Sequence, residues 1–207
     1  IPGSTATSMG EKPYAQAAAE KTVNEHLQRE KIPAKVLANS MIGGIHQQVE
    51  FFPLANPPLV SIIIPTRNRL DLVKTCIESI IIKTIYTRYE IILVDNGSDE
   101  PDALAYFAEL EEQGKVRLVR DDGPFNYSRL NNKAVGLAEG EIIVLLNNDT
   151  EVISENWLAE MVQLALLPDV GAVGAKLYYS NDTIQHAGVI LGFGGGASHL
   201  YLGAKND

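Results

Sequence analysis

Four short apolar runs alternate with amphipathic stretches along most of this chain, and this pattern limits the fold more than any other feature. The runs are apolar throughout instead of alternating with polar residues. They are LVSIII (59–64), EIILVD (90–95), VRLV (116–119) and EIIVLL (141–146). Strands that are apolar on both faces are typical of a parallel sheet covered by helices on both sides. The sequence therefore predicts an α/β domain with a Rossmann-like, mainly parallel sheet.

The segments between these strands predict helices, because their apolar residues recur at helical spacing. One such helix is predicted over residues 128–139, with Gly140 ending it. The later run GAVGAKLYY (171–179) predicts a fifth strand. GFGGGASH (192–199) is interpreted as a flexible loop.

The first 57 residues differ from the rest of the chain. Residues 13–31 are rich in Ala, Glu and Lys and predict a helix, and QQVEFF (47–52) predicts a short strand. The stretch Asn56-Pro57-Pro58 then interrupts regular structure, because proline cannot donate a backbone hydrogen bond. We expect a small, mostly helical segment over 1–57 and the α/β domain over 58–207.

Composition excludes several classes of protein. The formal net charge of −9 argues against general affinity for nucleic acid, which requires a basic face. No apolar run is long enough to predict a membrane span, and the first residues lack the pattern of a signal peptide. The single cysteine, Cys76, excludes an internal disulfide and fits a reducing compartment. A cytoplasmic protein is predicted.

Polar residues follow each of the four apolar strands at the point where the strand ends. The clusters are PTRN (65–68), DNGSD (95–99), RDDG (120–123) and NND (147–149). The carboxyl ends of parallel strands meet at one edge of a sheet, and ligands bind outside that edge. This edge is the candidate active site.

Two interpretations fit the cluster Asn147-Asn148-Asp149. It can be a turn, in which the amides and the carboxylate satisfy the backbone where the strand stops. Alternatively, Asp149 can ligate a hard divalent cation that bridges a diphosphate, while the amides orient ligand oxygens. The cluster around Asp95 has the same ambiguity, since Asn96-Gly97 is a turn signal and the Asp95 carboxylate can accept a pyrimidine N–H or a ribose hydroxyl. The sequence alone leaves both pairs of alternatives open.

Several motifs together carry a resemblance to a known family. They are VSIIIPTRNR (60–69), YEIILVDNGSDE (89–100), AEGEIIVLLNNDTEV (138–152) and NWLAEMV (156–162). In combination they resemble the family 2 glycosyltransferases of GT-A fold. GPFNYSRLNN (123–132) and the stretch 171–195 are similar to the bacterial rhamnosyltransferase-like branch that assembles O-antigen.

The resemblance implies inverting transfer of a sugar from a nucleotide-diphosphate donor, UDP- or dTDP-linked, to a hydroxyl of a glycan or lipid-linked acceptor in cell-surface polysaccharide synthesis. The donor-binding residues that it implies lie at strand ends and on the helix before the fourth strand. They are Pro65, Thr66, Asn68, Asp95, Asn96, Asn132, Asn147 and Asn148. Asp149 is the implied ligand of Mn²⁺ or Mg²⁺, with His199 completing the metal shell. Peripheral contact with the inner face of the membrane is expected only through other parts of a longer protein.

Three departures from the family pattern modify these expectations. The first position of the family's metal-binding Asp-x-Asp motif is Asn147. The arginine of its Ala-Arg-Asn-x-Gly motif is missing, so Arg129 or Lys133 is expected near the pyrophosphate. The family's Glu-Asp pair, which carries the general base that a sugar hydroxyl needs, has no counterpart after Val189. The chain is therefore expected to be a donor-binding fragment, truncated at its C-terminus, with its catalytic base beyond residue 207.

Two other functions remain as alternatives. A nucleotidyltransferase that makes sugar nucleotides shares the α/β architecture, but it normally has a glycine-rich, basic loop after the first strand, where this chain has PTRNRLD (65–71). The chain also lacks the Walker and GxGxxG motifs at that position. A non-catalytic module that binds nucleotides or glycans is favoured only by Asn147.

Overall fold

The computed structural model describes residues 13–37, 47–192 and 196–205, and the chain divides into two compact units, residues 1–55 and 56–207. In the first unit, helix α1 (Pro13–Arg29) is followed by strands β1 (Ala34–Val36) and β2 (Val49–Phe51), which pair antiparallel. The predicted N-terminal helix is confirmed. In the described residues of both units, no helix is long and apolar enough to span a membrane.

The second unit contains a four-stranded sheet in which all strands are parallel. Its strands in spatial order are β5, β4, β3 and β6. The strands and their helices follow one another along the chain as β3 (Val60–Thr66), α2 (Leu70–Lys83), β4 (Tyr89–Asp95), α3 (Pro101–Glu112), β5 (Arg117–Arg120), α4 (Tyr127–Val135), β6 (Ile142–Leu145) and α5 (Trp157–Ala165). The α/β fold predicted from the alternating pattern is confirmed.

The order of the strands determines where the helices lie. From β3 the chain moves outward to β4 and β5, and then returns across the sheet to place β6 on the other side of β3. Because connections between parallel strands are right-handed, α2 and α3 cover one face of the sheet and α4 covers the other. On the α4 face, Leu130 and Ala134 pack against Ile63 and Ile92, and all four are fully buried. The sheet is thus covered on both sides, which explains why its central strands, β3 and β4, are almost entirely buried.

The predicted fifth strand over 171–179 is wrong. Only Leu177–Tyr178 (β7) is strand, and it pairs antiparallel with β8 (Ile184–His186), away from the main sheet. Glycines at 171 and 174 weaken strand formation because they provide no side chain to pack. The predicted glycine-rich loop is also partly wrong, since β10 (Ala197–His199) pairs with β9 (Val189–Leu191); residues 193–195 of that stretch lie outside the described residues.

The end of α4 also differs from the prediction, since the helix stops at Val135 and Gly140 does not cap it. Gly140 lies instead beside the first residues of β3, where its N–H donates to Ser61 Oγ (2.9 Å). A Cβ atom at this position would lie 2.5 Å from Ser61 N and 2.9 Å from Leu59 O. Only glycine allows this close approach of two backbones, which sets β6 against β3.

Candidate functional site

The ends of the four parallel strands are joined into one continuous edge by hydrogen bonds. Asn96 N donates to Thr66 O (2.8 Å), and Asp121 N donates to Asp95 O (2.9 Å). On the other side of β3, Asn148 Nδ2 donates to Thr66 Oγ1 (2.9 Å). The polar clusters that the sequence places after four separate strands therefore lie side by side.

A cavity of about 220 Å³ opens at this edge between the ends of β3 and β6. This is the point where the strand order reverses, and the crevice at such a point is where α/β sheets bind ligands. Five of the residues expected at the donor site line it. The cavity lining consists of Pro65, Thr66, Arg67, Asn96, Phe125, Tyr127, Leu130, Asn147 and Asn148.

Asp95 ends β4 beside this cavity, and its side chain is only 1% exposed. Its Oδ1 accepts from Ser98 N (2.9 Å), and its Oδ2 accepts from the guanidinium of Arg120. The neighbouring Asn96 amide donates to the carbonyl oxygens of Asp121 and Gly123, each at 2.9 Å. The loop after β4 is therefore held in place by the loop after β5.

Asn68 joins the loop after β3 to the loop after β4. Its backbone N donates to Ser98 Oγ (2.7 Å), and its side-chain Oδ1 accepts from Asp99 N (2.9 Å) and Glu100 N (3.2 Å). Asn68 and Arg69 both have left-handed backbones, with φ of 52° and 50°. Non-glycine residues adopt this conformation at a cost, so the surrounding bonds hold the turn in place. Asn68 thus acts on the site through the two loops.

The two basic residues expected near the pyrophosphate meet at a buried carboxylate. Arg129 Nη1 lies 2.7 Å from Asp121 Oδ2, and Lys133 Nζ lies 3.1 Å from the same atom. The hydrogen bond from Arg129, together with those from Gly123 N and Lys133, lowers the pKa of Asp121 far below its usual range. Asn132, on the same helix, is exposed.

The cluster Asn147-Asn148-Asp149 forms a turn directly after β6. The carbonyl oxygen of Asn147 accepts from Thr150 Oγ1 (2.8 Å), and the Asp149 side chain is exposed to solvent. Within the described part of the chain, no three His, Cys, Asp or Glu side chains group to hold a metal ion. One free carboxylate with adjacent amides fits a cation whose other ligands are phosphate oxygens and water, as Mg²⁺ is often bound. The turn interpretation and the metal interpretation are therefore compatible.

His199 lies in β10, and its ring packs edge-on against that of His186, with their Nδ1 atoms 2.9 Å apart. The contacts found for its side chain in the described residues do not include Asp149. Its expected role in the metal shell stays a prediction.

Several residues of this edge have no role that the sequence predicts. Phe125 and Tyr127 line the cavity although 72% and 43% of their surfaces are exposed, and exposed aromatic side chains beside a polar cavity are a signal of ligand binding. Arg120 was visible only as part of a polar cluster, because nothing in the sequence pairs it with Asp95. Ser98 and Asp121 likewise stand in polar clusters, and their partners, Asn68 and Arg129, lie on other elements.

Comparisons with known proteins give this edge a family context. The sequence model of the family described as "Glycosyl transferase family 2" matches residues 61–194. The uncharacterized protein y4gI of Sinorhizobium fredii is 48% identical over 206 residues, which are 97% of this chain and 22% of that protein. The O-antigen biosynthesis protein RfbC of Myxococcus xanthus is 41% identical over 189 residues, which are 90% of this chain and 14% of RfbC.

Among solved structures, mannosyltransferase PcManGT from Pyrobaculum calidifontis, in complex with GDP-Man and Mn²⁺, has a TM-score of 0.53 and 23% identity. The match covers 84% of this chain and 47% of PcManGT, and it supports the GT-A fold. The chain thus spans less than a quarter of the length of y4gI and RfbC and about half of PcManGT. Because the family model matches more than half of the chain, the chain belongs to glycosyl transferase family 2.

Proposed function

We propose that this chain binds the nucleotide-diphosphate sugar of an inverting glycosyltransferase, which moves the sugar to a hydroxyl of a glycan or lipid-linked acceptor in cell-surface polysaccharide synthesis. The observation that carries the proposal is the cavity at the reversal of strand order. The residues at the ends of β3, β4 and β6 line this cavity. The exposed Asp149 directly follows Asn148, one of the lining residues, in the sequence.

The two halves of this edge suit the two ends of a nucleotide diphosphate. At the β3–β4 side, Thr66 and Asn96 line the cavity and provide polar groups for a nucleoside, with UDP or dTDP as the expected donor, and the buried Asp95 lies next to Asn96 at the end of β4. At the β6 side, the amides of Asn147 and Asn148 face the same cavity and can donate to phosphate or sugar oxygens. The exposed aromatic side chains of Phe125 and Tyr127 cover the cavity and can exclude water from the bound donor.

A divalent cation, Mn²⁺ or Mg²⁺, fits beside Asp149, and when bound it would neutralise charge on the departing diphosphate. The residues of the chain that would hold it are the Asp149 carboxylate and the side-chain oxygen of Asn147. With one carboxylate in place of two, most of the ligands would come from the diphosphate and water. This predicts that metal and nucleotide bind together, and that neither binds tightly alone.

The proposed role of Arg129 and Lys133 is modified by their contacts. Both are tied to Asp121, which neutralises part of their charge. The two cations and one carboxylate together keep a net positive charge, which attracts a phosphate. Arg129 and Lys133 can also donate their remaining N–H groups to it, while Asp121 holds the two side chains in position. No general base is assigned to any described residue.

The relatives support the proposal in chemistry as well as in fold. RfbC is named for O-antigen biosynthesis, and PcManGT was solved with a nucleotide sugar and Mn²⁺. We propose the same class of donor and cation for this chain. The location that we propose is the cytoplasm, peripheral to the inner face of the membrane through other parts of a longer protein.

The test is calorimetric titration with UDP, dTDP, GDP and ADP, each with and without Mn²⁺. We expect at least one nucleoside diphosphate to bind only when the metal is present. In Asp149→Asn, Mn²⁺ should no longer strengthen the binding of that nucleotide. Removing the only carboxylate of the turn should weaken binding in Mn²⁺ by about tenfold or more, as expected for a lost interaction with a charged group. The matched control is Asp169→Asn, at another exposed aspartate. Equal metal-dependent binding in wild type and Asp149→Asn would refute the metal assignment.

A further inference from the structure

The loop of residues 147–152, which follows β6 and contains Asp149, is bonded to one face of helix α2. Cys76, Ser79 and Lys83 occupy this face, because residues three and four apart along a helix lie on the same side. Each of their side chains makes a hydrogen bond to the loop. The helix therefore supports the part of the candidate site that we assign to the metal.

The start of this loop is held at one atom, the carbonyl oxygen of Asn147. Thr150 Oγ1 donates to it (2.8 Å), and the thiol of Cys76 donates to it from α2, with Sγ 3.6 Å from the oxygen. Sγ and Oγ1 also lie 3.7 Å from each other. Cys76 is fully buried, and burial raises the pKa of its thiol, so the thiol keeps the proton that it donates. Because a thiol is a weak donor, Thr150 contributes the stronger bond.

The end of the loop is held by Ser79 and Lys83. Val152 N donates to Ser79 Oγ (3.0 Å), and Lys83 Nζ donates to Val152 O (2.8 Å) and to the carboxylate of Glu151 (2.7 Å). Ser79 is only 6% exposed, so its bond to the loop is shielded from water. Both ends of the loop are thus fixed, while the side chain of Asp149 between them stays exposed.

A site with one protein carboxylate depends strongly on where that carboxylate stands. Mg²⁺ requires oxygen ligands at about 2.0–2.1 Å in near-octahedral geometry, so a small displacement of the backbone at Asp149 would move its carboxylate out of reach. A backbone that is fixed in advance also avoids the cost of ordering it when the ligand binds. The bonds to the carbonyl oxygen of Asn147 are the nearest of these contacts to Asp149 along the chain.

We propose that Thr150 and Cys76 are positioning residues for the divalent cation and act by holding the carbonyl oxygen of Asn147. These bonds fix where the turn presents the Asp149 carboxylate. The inference rests on the proposed function, since it concerns the same cation. Neither Thr150 nor Cys76 is among the described residues that line the cavity. Their loss should therefore weaken only the metal-dependent part of nucleotide binding.

The experiment measures, for the full 207-residue chain, the dissociation constants of UDP, dTDP and GDP with and without Mn²⁺. Thr150→Val removes the hydroxyl at similar volume, and Thr150→Ser keeps it. The matched control is Thr75→Val, because Thr75 is an exposed residue of α2 whose Oγ1 donates to a backbone carbonyl in the same way, to Asp71 O (3.0 Å). Thermal unfolding verifies that each variant is folded.

A second pair of variants tests the contact from the helix. Cys76→Ala removes the thiol donor and some buried volume. Its control, Ile77→Val, removes a buried methyl group from the same helix, at a side chain that cannot form a hydrogen bond. The electron paramagnetic resonance spectrum of Mn²⁺ bound together with the nucleotide adds a readout besides affinity, because a carboxylate that is no longer held in one place broadens the lines.

We measure the effect of the metal as the ratio of the dissociation constant without Mn²⁺ to that with Mn²⁺. Thr150→Val should lower this ratio by about threefold to tenfold, as expected for a lost neutral hydrogen bond, and should broaden the spectrum. Cys76→Ala should lower it by less, since its bond is weaker. Thr150→Ser, Thr75→Val and Ile77→Val should keep the wild-type ratio, and binding without Mn²⁺ should be the same in all variants.

Several results would overturn the inference while leaving the proposed function intact. One is a wild-type ratio in Thr150→Val, and another is an equal loss in Thr150→Ser, because the hydroxyl would then not matter. A third is an equal loss in Cys76→Ala and Ile77→Val, which would reflect stability alone. A fourth is equal weakening with and without Mn²⁺, which would place the effect at the cavity. Failure of the wild type to bind any of the three nucleotides would refute the proposed function, and the inference with it.

Discussion

The close contact between Gly140 and β3 predicts that Gly140→Ala destabilises the protein. The added Cβ would lie 2.5 Å from Ser61 N, 2.6 Å from Ser61 Oγ and 2.9 Å from Leu59 O. Two of these three atoms belong to the backbone of a central strand region, which cannot rotate away. The strands β3 and β6 would therefore have to separate at their first residues.

The size of the effect follows from the groups that must move. Forcing a methyl group into a closed space costs about 1–3 kcal/mol. Separation of the strands also lengthens the hydrogen bonds from Gly140 N to Ser61 Oγ and from Glu141 N to Leu59 O, each of which contributes about 1 kcal/mol. We expect a loss of about 3 kcal/mol in the free energy of unfolding. For a chain of this length, that corresponds to a fall of roughly 10 °C in Tm.

Denaturant unfolding and thermal unfolding of Gly140→Ala measure this loss. The control is Gly171→Ala, because no atom lies within 4 Å of a Cβ at Gly171 and its backbone is not left-handed. That variant should match the wild type or be slightly more stable, since alanine reduces the entropy of the unfolded chain. In Ser61→Ala the Oγ contact disappears but the contact with Ser61 N remains, so adding it to Gly140→Ala should recover only part of the loss. Equal stability of the Gly140 and Gly171 variants would refute the reasoning.

Two further predictions concern ionisable groups other than Asp149. Asp121 is held ionised chiefly by Arg129, which lowers the pKa of its carboxyl group, so its contribution to stability is complete above about pH 4 and is lost as the pH falls below that value. Asp121→Asn should therefore be less stable than the wild type at pH 7 and should lose less stability between pH 5 and pH 3. Parallel pH profiles of the urea midpoint for the two proteins would contradict this prediction. Burial, with a smaller effect of nearby glutamates, raises the pKa of Tyr106 to about 12. The ultraviolet absorbance titration of wild type minus Tyr106→Phe should therefore be centred near that pH in the folded protein, and a centre near the ordinary tyrosine value of about 10 would show that the hydroxyl is solvated.

The apolar pattern predicted the parallel sheet well, because the pattern of each strand and helix is contained in a short stretch of sequence. The two central strands, β3 and β4, are almost entirely buried, so most of their residues are apolar, and the helices between the strands have apolar stripes. The failures arise where structure depends on a partner distant in sequence. Residues 171–179 are as apolar as a strand, but they have no place beside the four parallel strands and pair only briefly with β8. Gly140 looked like the end of a helix, and only the approach of β3 explains it.

The sequence likewise predicted the position of the candidate site but not its detailed contacts. That the polar clusters would share an edge followed from the rule for parallel strands, and the hydrogen bonds between the strand ends agree with it. The sequence could not predict which side-chain atoms remain free for a ligand, because this depends on the hydrogen bonds and ion pairs between residues on different strands and helices. Asp95 is covered by Arg120, and Arg129 and Lys133 are tied to Asp121. These contacts join residues on different strands and helices, and no spacing in the sequence encodes them.

The bonds made by Asn68 have a consequence for the thermodynamics of ligand binding. They fasten the loops after β3 and β4 to each other before any ligand arrives, so the nucleoside side of the edge is already ordered. Ordering a loop during binding consumes part of the interaction free energy, and a preorganised loop avoids that loss. At the turn Asn147–Asp149, the amide of Asn148 is bonded to Thr66, whereas the exposed Asp149 carboxylate has no hydrogen-bond partner among the described residues. A nucleoside should therefore bind with a small entropic penalty, and most of the ordering on binding should fall on the side of the diphosphate.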